Sequence, residues 1–362
     1  MDSRSSAWVK LPDELLERVL SFLPVCSILQ CRCVCVRWKV ILSSHSFFSH
    51  WNEVAALVPW FLMFRSGGVL SAYSPSIDLW HDLPLSLGFA LSAVVASAGG
   101  LLCLRSSAIS GAAHLAVSNP LTSSSRVLPE LSRIRSPFII GMVADQQTNT
   151  YKILVSGTAT HSFCKDILTE IFDSATGSWD YHGWSDLEAL QECSGMRALW
   201  IDGSFYCLSI PLYQVLSYDM QQKQWKNLIN LKAPISSLYS ASLLACNGRL
   251  VLAGKINSKT STQSERAKNI CIWELEGGTS TWLKAKAVPG TDQWKFLDSL
   301  AYFLMLQQRR GTDSVCFNSW CRWRTLMYDT SQGSWRWLPD HCGSFREKFN
   351  GLTYEPSFLA SA

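Results

Sequence analysis

EIFDSATGSWDYHGW, residues 170–184, holds an apolar strand, a turn led by Asp173, and Trp179 six residues beyond that acid. The arrangement returns in LSYDMQQKQWKNL, residues 216–228, with Asp219 and Trp225, and in LMYDTSQGSWRWLP, residues 326–339, with Asp329 and Trp335. Looser copies surround Trp80 (AYSPSIDLWHDLP, 72–84) and Trp282 (ICIWELEGGTSTWLKA, 270–285). A sixth, LAVSNPLTSSSRVLPEL (115–131), places Arg126 where the tryptophan would fall. The six positions are spaced by 46, 53, 46, 57 and 53 residues. Self-similarity at that period means propeller blades or a solenoid, because each unit buries its apolar face only against its neighbours.

Ahead of the hairpins lie pairs of short alternating strands joined by Gly or polar turns, best seen in VVASAGGLLCL (94–104), ALWIDGSFYCLS (198–209) and SLLACNGRLVLAG (242–254). Each unit thus carries about four strands, the size of one blade. A large flat tryptophan after the turn fills the wedge between neighbouring blades, so these side chains read as core. Unit one starts only at WFLMF, residues 60–64, and lacks a first strand, while FNGLTYEP, residues 349–356, is a strand without a hairpin. The two defects are complementary: the last strand completes the first blade, closes the ring and removes an open edge. The expected fold class is therefore a small three-helix unit followed by an all-β, six-bladed propeller closed by its C-terminal strand.

The helical unit is read from Leu11 to Leu42. Leu15, Leu16, Val19, Leu20 and Leu23 mark an amphipathic helix that opens at Pro12, carries Asp13 and Glu14 at its positive end and stops at Pro24. Ser27 is expected to cap a second helical stretch with Ile28, Cys31, Val34, Cys35, Trp38 and Leu42 on its apolar positions. In QCRCVCVRW, residues 30–38, Cys31 and Cys35 would share a face and Cys33 would point away, so the three thiols cannot close round one ion. About forty residues build little independent core, and the apolar side chains exceed what three short helices hide from one another, which implies a partner.

LPDELLERVLSFLPVCSILQCRCVCVRWKVILSSHSFF, residues 11–48, resembles an F-box: Leu-Pro at the start, the LL-x-x-V-L helix, and V-C-x-x-W at Val34, Cys35 and Trp38. The resemblance implies docking onto the Skp-type linker subunit of a cullin-RING ubiquitin ligase. Carried over by position, the contact residues are Leu11, Pro12, Leu15, Leu16, Leu20, Leu23, Val34, Cys35 and Trp38. Residues 59–356 are similar to the kelch-like propellers of plant F-box proteins, the group that includes floral-organ regulators, although the kelch Gly-Gly doublet is kept only at Gly99-Gly100. The expected organisation is a flexible start (1–8), F-box (9–48), linker (49–58), propeller (59–356) and tail (357–362). The function so implied is that of a substrate adaptor of an SCF-type ligase, a non-catalytic subunit whose ring holds a target protein. A non-proteolytic regulator that binds a transcription factor through the ring stays open as the alternative.

Composition narrows the rest. Thirty-two basic and 28 acidic residues give a net charge of +4 with no block of like charge, which argues against direct nucleic-acid binding. Thirteen cysteines without framework spacing, and no signal-peptide core in MDSRSSAWVKLPDELLERVL, point to the cytoplasm or nucleus. Leu83–Leu104 is uncharged and long enough to span a bilayer, but Pro84, Gly88 and Gly99-Gly100 suit strands and turns better, so no membrane span is expected. Seven histidines without paired spacing, and acids that sit mainly in repeat turns, supply neither a metal site nor a glycosidase pair, so no metal, cofactor or catalytic residue is assigned. The long stretches Ser106–His114, Asn257–Asn269 and Gln307–Arg324 are expected as loops. Arg309, Arg310, Arg322 and Arg324 make the last one basic and a candidate contact for an acidic segment of the target.

Overall fold

The computed structural model describes residues 8, 10–54, 58–64, 69–83, 85, 91–106, 114–159, 167–185, 196–209, 214–228, 238–246, 248–256, 269–275, 281–288, 301–306, 314–319, 322–329, 332, 334–340 and 350–362. A small helical head leads into a large β domain.

Among the described residues the head contains four helices where three were expected: α1 (Asp13–Leu20), α2 (Val25–Cys31), α3 (Val36–Ile41) and α4 (His45–Val54). α1 begins as its sequence dictates, with Pro12 extended ahead of it, Asp13 and Glu14 in its first turn and Arg18 in its last. The second stretch departs from expectation. Pro24, not Ser27, precedes α2, so Ser27 lies within the helix. The run then breaks after Cys31, because the amides of Cys33 and Val34 turn back to the carbonyls of Gln30 and Cys31. The Arg32 guanidinium meanwhile donates from Nε (3.0 Å) and Nη2 (2.8 Å) to the Leu42 carbonyl. Cys35 is consequently extended (φ −160°, ψ 167°) and exposed, and it does not share a helix face with Cys31. α4 is capped by Ser44, whose Oγ accepts from the Phe47 amide at 3.1 Å, and it runs past the boundary expected at residue 48.

The β domain is built of antiparallel meanders. The first unites β1 (Trp60–Phe64), β2 (Leu70–Ser74) and β3 (Leu79–Leu83) with the last strand, β24 (Asn350–Tyr354). β4 (Leu91–Ala98), β5 (Leu101–Ser106), β6 (Leu115–Asn119) and β7 (Ser124–Val127) form the second. β8 (Ser136–Asp145), β9 (Thr150–Thr158), β10 (Ile167–Asp173) and β11 (Ser178–Ser185) form the third. It joins β12 (Met196–Ile201), β13 (Ser204–Leu208), β14 (Val215–Asp219) and β15 (Gln224–Leu228) through a short parallel pairing of β8 with β12. β16 (Leu238–Cys246), β17 (Arg249–Ile256), β18 (Asn269–Leu275) and β19 (Trp282–Val288) follow. Last come β20 (Ala301–Leu306), β21 (Ser314–Ser319), β22 (Arg322–Asp329) and β23 (Ser334–Trp337). First strands touch in cyclic order, β24 to β4, β8, β12, β16, β20 and back to β24. Leu83–Leu104 holds the β4–β5 hairpin, turned at Gly99-Gly100, and no helix among the described residues is long and apolar enough to cross a membrane.

The repeated residues occupy one register. Trp80, Trp179, Trp225 and Trp335 each pair across the outer two strands with an aromatic, Tyr73, Phe172, Tyr218 and Tyr328, at ring separations of 4.6–5.4 Å. Arg126 holds the same place opposite Val117. The turn acids form side-chain turns: Asp173 Oδ1 accepts from the Ala175 amide (2.9 Å) and Asp219 Oδ1 from those of Gln221 and Gln222 (2.9 and 3.0 Å). The indoles also join neighbours. Trp80 Nε1 donates to the Pro339 carbonyl and Trp179 Nε1 to the Pro129 carbonyl, both at 2.8 Å, and Trp225 Nε1 donates to Thr169 Oγ1 at 3.0 Å. In each case the acceptor belongs to the preceding meander, with the sixth preceding the first.

β24 lies antiparallel on β1 with Trp60 opposite Tyr354 and Phe64 opposite Asn350. The chain thus supplies the missing strand of its first meander from its far end. Head and β domain share one apolar core: Leu16, Leu20, Ile28, Phe47 and Trp51 are continuous with Trp60, Leu62, Leu70, Leu352, Tyr354 and Phe358. Part of the apolar surplus read in the first fifty residues is therefore covered by the chain itself.

Candidate functional site

Two offset apolar stripes run along α1. Leu16, Leu20 and Leu23 face inward, with Leu16 and Leu20 at 0% and 3% exposure and Leu23 packed against the same core. Leu15, Val19 and, in the following turn, Phe22 repeat the same four-then-three spacing one residue earlier and face solvent at 50%, 48% and 70% exposure. Val34, Val36 and Val40 are likewise exposed, at 63–78%. Seven of the nine expected contact residues retain accessible surface: Pro12, Leu15, Val34 and Cys35 are exposed, and Leu11, Leu23 and Trp38 are half-buried. Leu16 and Leu20, also expected as contacts, are turned into the head's own core, whereas Val19, Phe22, Val36 and Val40, not among the nine, are exposed; the second stripe on α1 was the available signal for the first two.

Arg37 of α3 fixes this face. Its Nε donates to Asp13 Oδ1 at 2.8 Å and its Nη1 to the Trp8 carbonyl at 3.2 Å, while Nη2 donates to the Leu11 carbonyl. The Leu11-Pro12 entry to α1 is thereby held against α3, and Trp8 meets Trp38 edge-on at 5.8 Å. Uncovered valines and leucines next to an ordered ion pair can exclude water from a partner but can perform no chemistry.

The cysteines offer no reactive centre on the packed side. Burial pushes the Cys26 thiol up to about 11 and raises Cys31 as well, which keeps both protonated near neutrality. Among the described residues no group of three or more His, Cys, Asp and Glu side chains could hold a metal ion. Arg309 and Arg310 lie outside the described residues. Arg322 and Arg324 are not on a loop: β21 and β22 cut through the stretch expected as one, because the short apolar run Val315-Cys316-Phe317 suits a strand that pairs with β20 and β22. The fourth arginine-bearing position, Arg324, is thus a strand residue.

A helical recognition unit with an uncovered apolar face, fused to cyclically arranged four-stranded sheets, defines the class of an F-box head on a propeller-like domain. The chain belongs to the F-box proteins with an F-box associated beta propeller domain: that domain's family matches residues 64–329 and the F-box domain family matches residues 8–50. It is 31% identical over 293 residues to F-box only protein 6 of Arabidopsis thaliana, covering 78% of this chain and 59% of that protein. It is 25% identical over 377 residues to Protein UNUSUAL FLORAL ORGANS of the same plant, covering 94% of this chain and 80% of that protein. The match thus spans less than two thirds of the first relative. Among solved structures, TolB from Acinetobacter baumannii shares the fold at a TM-score of 0.51 and 11% identity, covering 88% of this chain and 73% of TolB.

Proposed function

We propose that the chain is the substrate-recognition adaptor of an SCF-type cullin-RING ubiquitin ligase. The exposed face of the head binds the Skp-type linker subunit, the β domain is a six-bladed ring that binds the target, and ubiquitin is transferred by proximity without a nucleophile from this chain. The observation that carries the reading is the uncovered stripe of Leu15, Val19 and Phe22, together with exposed Val34 and Val36, within the F-box match. Cyclic contact of the first strands and indole bonds running always to the preceding meander support the ring. Arg197 supports it further: from β12 it donates to the carbonyls of Gly351 on β24 and Val94 on β4, across the middle. Arg309, Arg310, Arg322 and Arg324 remain proposed contacts for an acidic segment of the target.

The test is capture of a purified Skp-type linker by the wild type and by a Leu15→Asp, Val34→Asp variant. Both side chains are exposed, so folding survives and linker binding falls by about thirtyfold or more, the loss of one central apolar contact of about 2 kcal/mol. Unchanged capture refutes the head's assignment. Glutamate at both Arg309 and Arg310 is expected to abolish target capture without touching linker binding; retained capture removes these two from the target site.

A further inference from the structure

Residues 355–362 join the head to the ring. Phe358 is 6% exposed, and its ring stacks on Phe48 of α4 with centroids 4.7 Å apart and planes 14° from parallel. Trp51 meets it edge-on at 5.4 Å. The Arg32 guanidinium lies 4.9 Å from the Phe358 centroid and 5.2 Å from that of Phe48, so the aromatic pair carries a cation already oriented by the Leu42 carbonyl.

On the other side the backbone of the same segment is held by two meanders. Asn119, at the end of β6, donates through Nδ2 to the carbonyls of Ser357 and Ala360, both at 2.8 Å. Asn149, in the β8–β9 turn, accepts from the Ser361 amide at 3.3 Å. Gly100, in the β4–β5 turn, has φ +91°, and a Cβ there would stand 2.4 Å from Ser357 Cβ, so only glycine admits the segment this closely. Domains tied by a short linker move relative to one another unless a sizeable apolar interface prevents it. Here the shared core of head and β domain is extended by a stretch of chain beyond the ring-closing strand, with one aromatic side chain inserted into the head.

We propose that Phe358 is a positioning residue: residues 355–362 clamp the helical head to the ring and set the angle between the partner on the head and the target on the ring. The clamp stands on geometry alone; its consequence for ubiquitin transfer rests on the adaptor reading.

The experiment uses the full chain with a pair of non-cysteine probes at exposed Ser43 and Ser125, and compares wild type with Phe358→Ala, Phe48→Ala and the double variant. The wild type gives a narrow distance distribution, and each single variant a broad one. The double variant is no broader than either single, since both remove the same contact. Amide exchange in α4 rises about tenfold or more in the variants, while β8, β9 and β10 keep wild-type protection and so report an intact ring. Narrow distributions in both single variants, with the ring intact, overturn the clamp. If the variants lose ring protection, Phe358→Leu, which keeps apolar volume but not the stack, is measured in their place with the same criterion. A complex reconstituted with linker, cullin and RING subunits then reads the consequence from ubiquitin placed on the chain's own lysines. A restricted set in the wild type broadens in Phe358→Ala at unchanged linker affinity. An unchanged set alongside a broadened distance distribution removes the clamp's role in transfer. A wild type that binds no linker fails the adaptor reading and leaves the clamp to the distance measurement.

Discussion

Ending the chain before Asn350 should cost the β domain its fold. The deletion removes β24 from β1 and takes with it Leu352, Tyr354 and Phe358, which are 3%, 1% and 6% exposed. At about 1.5–3 kcal/mol for each fully buried side chain, their loss amounts to roughly 5–9 kcal/mol. That figure stands against a typical total of about 5–15 kcal/mol for a folded domain. The deletion also bares the edge of β1, whose Trp60, Leu62 and Phe64 lie at 0–5% exposure, and an open apolar edge recruits other chains. The measurement is soluble yield and size-exclusion profile of residues 1–349 against the full chain, followed by thermal melting of whatever stays in solution. The expected result is insoluble or aggregated protein. A graded companion, Leu352→Ala, should stay soluble and lose about 2–4 kcal/mol in urea titration. A soluble monomer of residues 1–349 with wild-type melting would show that β24 does not close the domain.

Asp78 accepts from the Tyr73 hydroxyl (2.5 Å) and from Arg336 of the sixth meander (2.7 Å), and these two bonds hold its carboxyl below the usual range. A depressed carboxylate stabilises the fold above its unfolded value and loses that contribution as pH falls through its folded value. Asp78→Asn should therefore flatten the melting curve below about pH 4, by a small amount because the pair is half exposed and screened. Trp179→Phe removes the bond to the Pro129 carbonyl while keeping most of the ring, and should cost about 0.5–1.5 kcal/mol by urea unfolding; no change would make that joint ornamental. Buried Glu170 accepts from the amides of Ser132, Arg133 and Ile134 at 2.7–2.9 Å and from Ser132 Oγ at 3.0 Å. Glu170→Gln turns an amide donor toward backbone donors and should cost about 2–4 kcal/mol in the same titration, with equal stability as the refuting result. Gly100→Ala should reproduce the increased α4 exchange expected for Phe358→Ala, because the new Cβ collides with Ser357; wild-type exchange would count against that packing.

The β domain was legible because its signal is repeated. One tryptophan at a fixed offset from a turn acid is weak, but three full copies and three looser ones at a near-constant period leave few architectures, and the strand missing near Trp60 was recognisable only against the other five. Head boundaries were less legible. Cys31 to Trp38 carries helical periodicity throughout, yet the helix breaks inside it, where the Cys33 and Val34 amides turn back and Arg32 bonds a carbonyl ten residues on, a tertiary contact that no local pattern records. The inward turn of Leu16 and Leu20 was equally hidden: a helix with two adjacent apolar stripes does not say which one faces its own chain. Within the loop expected over Gln307–Arg324, the charge of Arg309, Arg310, Arg322 and Arg324 is the stronger local signal, and the apolar run of only three residues from Val315 to Phe317 is too short to announce β21 by itself.

The pairing of β1 with β24 joins segments about 290 residues apart in the chain. At roughly 5–20 residues per second of synthesis, WFLMF emerges from the ribosome roughly 15–60 s before its partner strand exists. Throughout that interval the nascent protein displays a sticky edge that other nascent chains can occupy. The same order gives premature stop codons an asymmetric outcome: a message cut late still encodes every described helix of the head yet leaves β1 without its partner, so nearly the whole chain is made and then lost to aggregation.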